Sequence, residues 1–319
     1  MKKNYKNLLL LTVTLILFYI GGELVTRMIL YKDGNPFTID YPSNLEGYRD
    51  YNHNLQKTNN TFRIEVLGDS FTYGLGVYKT EDTSPKVLEK VLNKNEEGII
   101  YEVFNFGRPS HGTEDELNTL KDYGLKYKPD LVIINFNIND IEFEGYNDPN
   151  VIKRKVDEMR VSLRNKNGEF PHFYYFILKN LAEEWCRHAP PPQCGYLSHI
   201  KGLYKSENWG KEKNLLKEIK ILGDKNNFKT VIVIFPLMIP HEHEPEELYN
   251  KIKNGLEQGL AVLNLYEYYQ DYDFESIRAN YWDYHPNEKG QEIAAKATYN
   301  YLIEKNLIPD AENRTILQI

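Results

Sequence analysis

The chain has no block of basic residues. Its 39 Lys and Arg against 46 Asp and Glu give a formal net charge of -7, spread along the sequence, so the electrostatic footprint of a nucleic-acid-binding protein is missing. No internal repeat is visible, which excludes a solenoid or array. Cysteine is scarce. The two present, Cys186 and Cys194, flank Pro190, Pro191 and Pro192, and neither has the neighbourhood of a catalytic thiol. Outside the cytoplasm the pair is free to join as a disulfide; otherwise they are two half-buried thiols. Helical metal-binding spacing is also lacking. His241-Glu242-His243-Glu244 follows Pro240 without the i, i+4 histidines of a metalloprotease helix, and reads as a solvated loop. No metal and no cofactor is expected.

One long hydrophobic run is present. Lys2, Lys3 and Lys6 precede the uncharged stretch Leu8 to Gly22, after which Glu23 and Arg27 interrupt a weaker apolar tail ending near Tyr31. Lysines followed by an apolar core describe a signal peptide or signal anchor. Gly21-Gly22 offers a poor cleavage site, and continuation through Leu24, Val25, Met28, Ile29 and Leu30 favours an uncleaved transmembrane helix over a buried amphipathic one. The positive-inside bias then puts the N-terminus in the cytoplasm and everything after about Lys32 outside it, in the periplasm or beyond the cell. The expected organisation is an anchor over 1–32, an irregular connector over 33–61 and a globular domain over 62–310.

A chain of 319 residues can bury a full core. Short runs rich in Val, Ile and Leu recur at Phe62 to Leu67, Ile99 to Phe104, Leu131 to Phe136, Thr230 to Phe235 and Leu260 to Leu265, each bounded by Gly, Pro, Asn or Asp. That is the pattern of strands covered on both faces. Amphipathic helices lie between them, at Pro85 to Asn93, Glu114 to Tyr127 and Lys211 to Leu222. The alternation predicts an α/β fold, a three-layer α/β/α sandwich around a parallel five-stranded sheet. The rhythm breaks between about 145 and 209, a stretch read as a mostly helical insertion.

Three groups of residues at predicted strand ends carry chemistry. Gly68-Asp69-Ser70 follows the first strand, where open α/β sheets place ligands. Asp and Ser there are equally the usual helix N-caps, and Thr72 rules out the nucleophile elbow, which needs glycine two residues either side of the serine. Asp283-Tyr284-His285-Pro286 precedes a helix. Residues i and i+2 of an extended segment point the same way, so Asp283 can orient one nitrogen of His285 and leave the other as a base; a capping Asp beside a partly buried His is the plain alternative. Asn105-Phe106-Gly107 and Asn137-Ile138-Asn139-Asp140 follow the second and third strands and offer donors for an oxyanion. His111 either touches a substrate or helps cap the next helix with Thr113.

In this order the blocks resemble those of the SGNH (GDSL-type) hydrolase family over roughly Phe62 to Lys305. The resemblance implies a flavodoxin-like fold, Ser70 as nucleophile, Asp283 and His285 completing a triad, and the Ser70 N–H, Gly107 and Asn139 as oxyanion hole. Two positions depart from the family pattern: Asn137 stands where glycine is usual, and Trp282 where the aspartate is usual, so that Asp283 must serve instead. The implied activity is serine-dependent ester hydrolysis on O-acylated glycans or lipid esters. Two alternatives stay open: acyl transfer to a glycan with a membrane acyltransferase partner, and a catalytically silent binding domain.

Overall fold

The computed structural model describes residues 2–30, 43–94, 98–142, 196–237, 246–257, 259–280 and 283–319. The chain forms two units, 1–40 with 147–198 and 41–146 with 199–319. In the first, helix α1 runs Lys2–Leu30 and exposes Leu10, Leu11, Leu15, Leu17 and Phe18. Among the described residues, no helix is long and apolar enough to cross a membrane. Cys186, Cys194, most of the 145–209 insertion and the His241 to Glu244 segment lie outside the described residues.

The second unit is built on the five predicted strands. They are β1 (Thr61–Gly68), β2 (Ile100–Gly107), β3 (Leu131–Asn137), β4 (Lys229–Phe235) and β5 (Ala261–Asn264). All neighbours pair in parallel, in the order β2-β1-β3-β4-β5, the flavodoxin-like arrangement. Every residue of central β3 is buried, as continuous apolar strands require when helices cover both faces. The helices are α2 (Ser84–Leu92), α3 (Thr113–Asp122), α4 (Tyr196–Leu203), α5 (Glu207–Asn226), α6 (Glu246–Leu256) and α7 (Glu288–Glu304). Leu88, Val91 and Leu92 of α2 and Leu117 and Leu120 of α3 are buried, as the apolar face of an amphipathic helix requires.

Two local differences have physical causes. The helix predicted to Tyr127 stops at Asp122 and resumes as a 3₁₀ turn over Gly124–Tyr127; a Cβ on Gly124 would lie 2.3 Å from Glu65 Oε2, so the chain passes closer to β1 than a side chain allows. Part of the expected connector is built into the domain, with Tyr48, Arg49 and Asp50 only 1–2% exposed. The extended segment expected before the last helix is a strand, β7 (Asp283–Pro286), which pairs antiparallel with β6 (Arg278–Asn280). The helix is capped by Asn287, whose side chain accepts from Gly290 N–H at 3.0 Å.

Candidate active site

Parallel register brings the strand ends level. Gly68 pairs with Gly107 on one side and with Asn135 on the other, so the residues following β1, β2 and β3 emerge at one edge of the sheet. After β1 the chain makes a single helical turn, Ser70–Tyr73. Asp69 caps it, its Oδ1 accepting from Phe71 N–H at 2.8 Å. The aspartate is thus the cap, and the serine beside it stands at the start of the turn.

Ser70 and His285 meet. Ser70 Oγ lies 2.8 Å from His285 Nε2, and both residues are half-buried. The strand β7 delivers the histidine, and the loop leading away from the serine makes room for it. Gly76 has φ +108°, and a Cβ there would meet Pro286 O at 2.8 Å, so only glycine suits both the backbone angle and the close approach. The His285 ring packs against Phe71, with centroids 5.1 Å apart. Asp283 sits two residues earlier on the same strand, as the i, i+2 reading requires; its side chain lies outside what is described.

The oxyanion candidates separate. Gly107 N–H donates to Asn105 Oδ1 at 2.9 Å, so it is already engaged. A Cβ at Gly107 would come within 2.2 Å of Tyr73 N; the glycine lets β2 lie against the Ser70 turn, and its place in an oxyanion hole is not supported. Asn139 is half-buried in the turn after β3, and its Oδ1 is buried without a hydrogen-bond partner. His111 is half-buried too, its Nδ1 unpartnered, and burial lowers its pKa. Ser110, one residue before it, holds φ +68°, an uncommon conformation for a residue with a Cβ.

Behind the serine lies a group of buried carboxyls. Asp69 (3% exposed) is pushed up to about 6 by burial, against the pull of Phe71 N–H and His285. Glu116 of α3 and Asp140 after β3 are raised well above the ordinary carboxylate range, by burial first and then by each other's neighbourhood of acids. Glu212 of α5 is raised to about 8, again by burial. Desolvation with few compensating donors favours the protonated form of such groups. Among the described residues no cluster of His, Cys, Asp or Glu is arranged to hold a metal ion.

Two residues that hold this site carry no sequence signal. Arg49 donates to the carbonyls of Gly74 and Val77 just beyond the Ser70 turn. Gln291 of α7, fully buried, donates to Phe71 O at 2.9 Å and accepts from Ser84 N–H at 2.8 Å. Each is an ordinary polar residue in an unremarked stretch, and only the folded chain shows what it touches.

Solved structures similar to the chain include a two-domain esterase active on acetylated mannans (14% identity, TM-score 0.46, covering 81% of this chain and 51% of that one). TesA is similar over 77% of this chain and 99% of its own, at 16% identity and TM-score 0.45. Axe2, an acetylxylan esterase from Geobacillus stearothermophilus, covers 76% and 94%, at 12% identity and TM-score 0.46. The chain spans about half the length of the two-domain esterase. No curated protein matches. Residues 64–298 match GDSL-like lipase/acylhydrolase; that span starts in β1, ends in α7 and contains both Ser70 and His285, and the chain therefore belongs to the GDSL-like lipase/acylhydrolase family.

Proposed function

We propose that the protein cleaves an ester bond through an acyl-enzyme on Ser70. The observation that carries this reading is the 2.8 Å contact between Ser70 Oγ and His285 Nε2 at the carboxyl edge of the sheet. With Nε2 unprotonated, the serine hydroxyl donates to it. Attack on the ester carbonyl forms the Oγ–C bond as the proton passes to Nε2, giving imidazolium and a tetrahedral oxyanion. In this reading Asp283, two residues before His285 on β7, is the carboxylate of the triad, whose role is to fix the tautomer and stabilise the imidazolium. The oxyanion is met by the Ser70 N–H and the Asn139 amide. Collapse expels the alcohol, which takes the proton from Nε2; water then attacks the acyl carbon and gives a proton to His285, and as the C–Oγ bond breaks Ser70 Oγ takes that proton back and the acid leaves.

The working surface of this enzyme is the outer side of a cell membrane. What supports it is the N-terminal pattern of three lysines before an apolar stretch, together with the leucines and Phe18 that α1 leaves exposed, a patch that water disfavours. Esters within reach of such an anchor are O-acylated glycans and lipid esters. Small acetyl esters are the first test. Release of acetate by the wild-type protein and not by Ser70→Ala supports hydrolysis, and loss of acetate release in favour of an acylated sugar, when glycan is added, would make the protein an acyltransferase instead.

A further inference from the structure

β3 ends on Asn137, a fully buried residue at the position where the family pattern has glycine. Its backbone closes the turn that presents Asn139: Asn137 N–H donates to Asp140 Oδ2 at 2.8 Å, and Asp140 N–H donates to Asn137 O at 3.0 Å. Its side chain crosses to the neighbouring strand end. There Asn137 Nδ2 donates to Asp69 Oδ1 at 2.8 Å, the same oxygen that accepts Phe71 N–H and caps the Ser70 turn. One residue is thus bonded to both halves of the site, the serine block and the Asn139 loop. A glycine would leave Asp69 with one fewer donor in a place almost closed to water.

Asp69 needs that donor because of what surrounds it. His285 faces it from β7, Asp140 from the turn after β3 and Glu116 from α3, with Glu212 of α5 and Asp115 bearing on Glu116. Three of these neighbours are themselves buried carboxyls. An anion in such a setting persists only if hydrogen bonds favour its charged form. Phe71 N–H and the Asn137 amide are those bonds, and His285 nearby also favours the charged form of Asp69.

We propose that Asn137 is a positioning residue of this site: its side-chain amide keeps Asp69 ionised and fixed as the cap of the Ser70 turn, and so sets Ser70 against His285. The inference rests on the reading of Ser70 as the nucleophile. Loss of the amide releases Asp69 to take up a proton at higher pH. The neutral acid holds Phe71 N–H less firmly, and the imidazolium formed on His285 loses a nearby negative charge.

Hydrolysis of a small acetyl ester, followed from pH 5 to 9 with melting curves for each protein, tests this. Asn137→Gly is expected to lower kcat about tenfold with KM changed less than about twofold, since the reacting atoms and not the substrate are displaced. Its acid limb should move to higher pH. Asn137→Asp, nearly isosteric, replaces the donor amide by a carboxyl that donates only while protonated, so its activity should be confined to the acid side and fall at pH 8. The exchange Asp69→Asn with Asn137→Asp restores an amide–carboxylate pair in reverse and should recover part of the loss at pH 8. If Asn137→Gly does not fold, the two remaining variants carry the comparison. Wild-type kcat and acid limb in Asn137→Gly would overturn the proposal. So would equal losses at every pH with no recovery in the exchange, the result of a merely structural role. An inert wild-type protein is a separate outcome: it removes the hydrolase reading, and this inference with it.

Discussion

The Arg49 guanidinium donates to Gly74 O at 2.5 Å, closing the far end of the turn that begins at Ser70. A second nitrogen of the same group reaches Val77 O at 3.0 Å, and the side chain is 1% exposed. Short helices leave their last carbonyls without intrahelical partners, and here one buried fork serves both. A lysine keeps the charge but not the fork. Arg49→Lys is therefore expected to destabilise the fold by about 1–3 kcal/mol, the cost of a buried group left without its partner, and to lower kcat. Urea unfolding reads the first and acetyl-ester hydrolysis the second; an unchanged midpoint and rate would show that the clamp does nothing.

Arg49 also marks where sequence reasoning stops. The strands were legible because each is a short apolar run bounded by breakers, and the observed strands β1 to β5 fall within two or three residues of the expected ones. Ser70 was legible as a block at a strand end and His285 as one before the last helix, whereas the antiparallel β6–β7 pair that carries His285 to Ser70 was not. The segment before β1 was not, because Tyr48, Arg49 and Asp50 sit in a stretch with neither helical nor strand periodicity, and their burial depends on partners that lie far along the chain. The engagement of the Gly107 N–H is hidden for a similar reason: it turns back to Asn105, two residues away, a local bond that composition does not announce. Asn137 looked like a lost glycine, whereas it adds a bond to Asp69.

Glu65 gives a prediction about pH and stability. It is fully buried in β1, and burial pushes its carboxyl up to about 8, against a smaller pull from Arg63. In the unfolded chain it titrates near the ordinary 4.5. Between those values the native state holds a proton that the unfolded chain releases, so stability falls as pH rises from about 4.5 to about 8. Glu65→Gln removes the titration and keeps the shape. Melting curves should show little change at pH 5 and a higher Tm than wild type at pH 8.5; equal destabilisation at both would mean that the carboxyl is held ionised.

In the proposed mechanism Asn139 is the side-chain donor to the oxyanion. Asn139→Ala is expected to reduce kcat on the order of 10²-fold, the effect of one lost oxyanion donor. Tm should stay close to wild type, because the side chain is half-buried and its Oδ1 has no partner to lose. Steady-state kinetics beside a melting curve checks both, and an unchanged rate would take Asn139 out of the site.

The central claim is that His285 activates Ser70 as a nucleophile, and a fluorophosphonate probe reads it without knowledge of the natural substrate. Intact-mass and peptide analysis should find one probe per wild-type chain, on Ser70, with labelling lost in Ser70→Ala and strongly slowed in His285→Ala. A folded wild-type protein that stays unlabelled, or that carries the probe on another residue, would contradict the account.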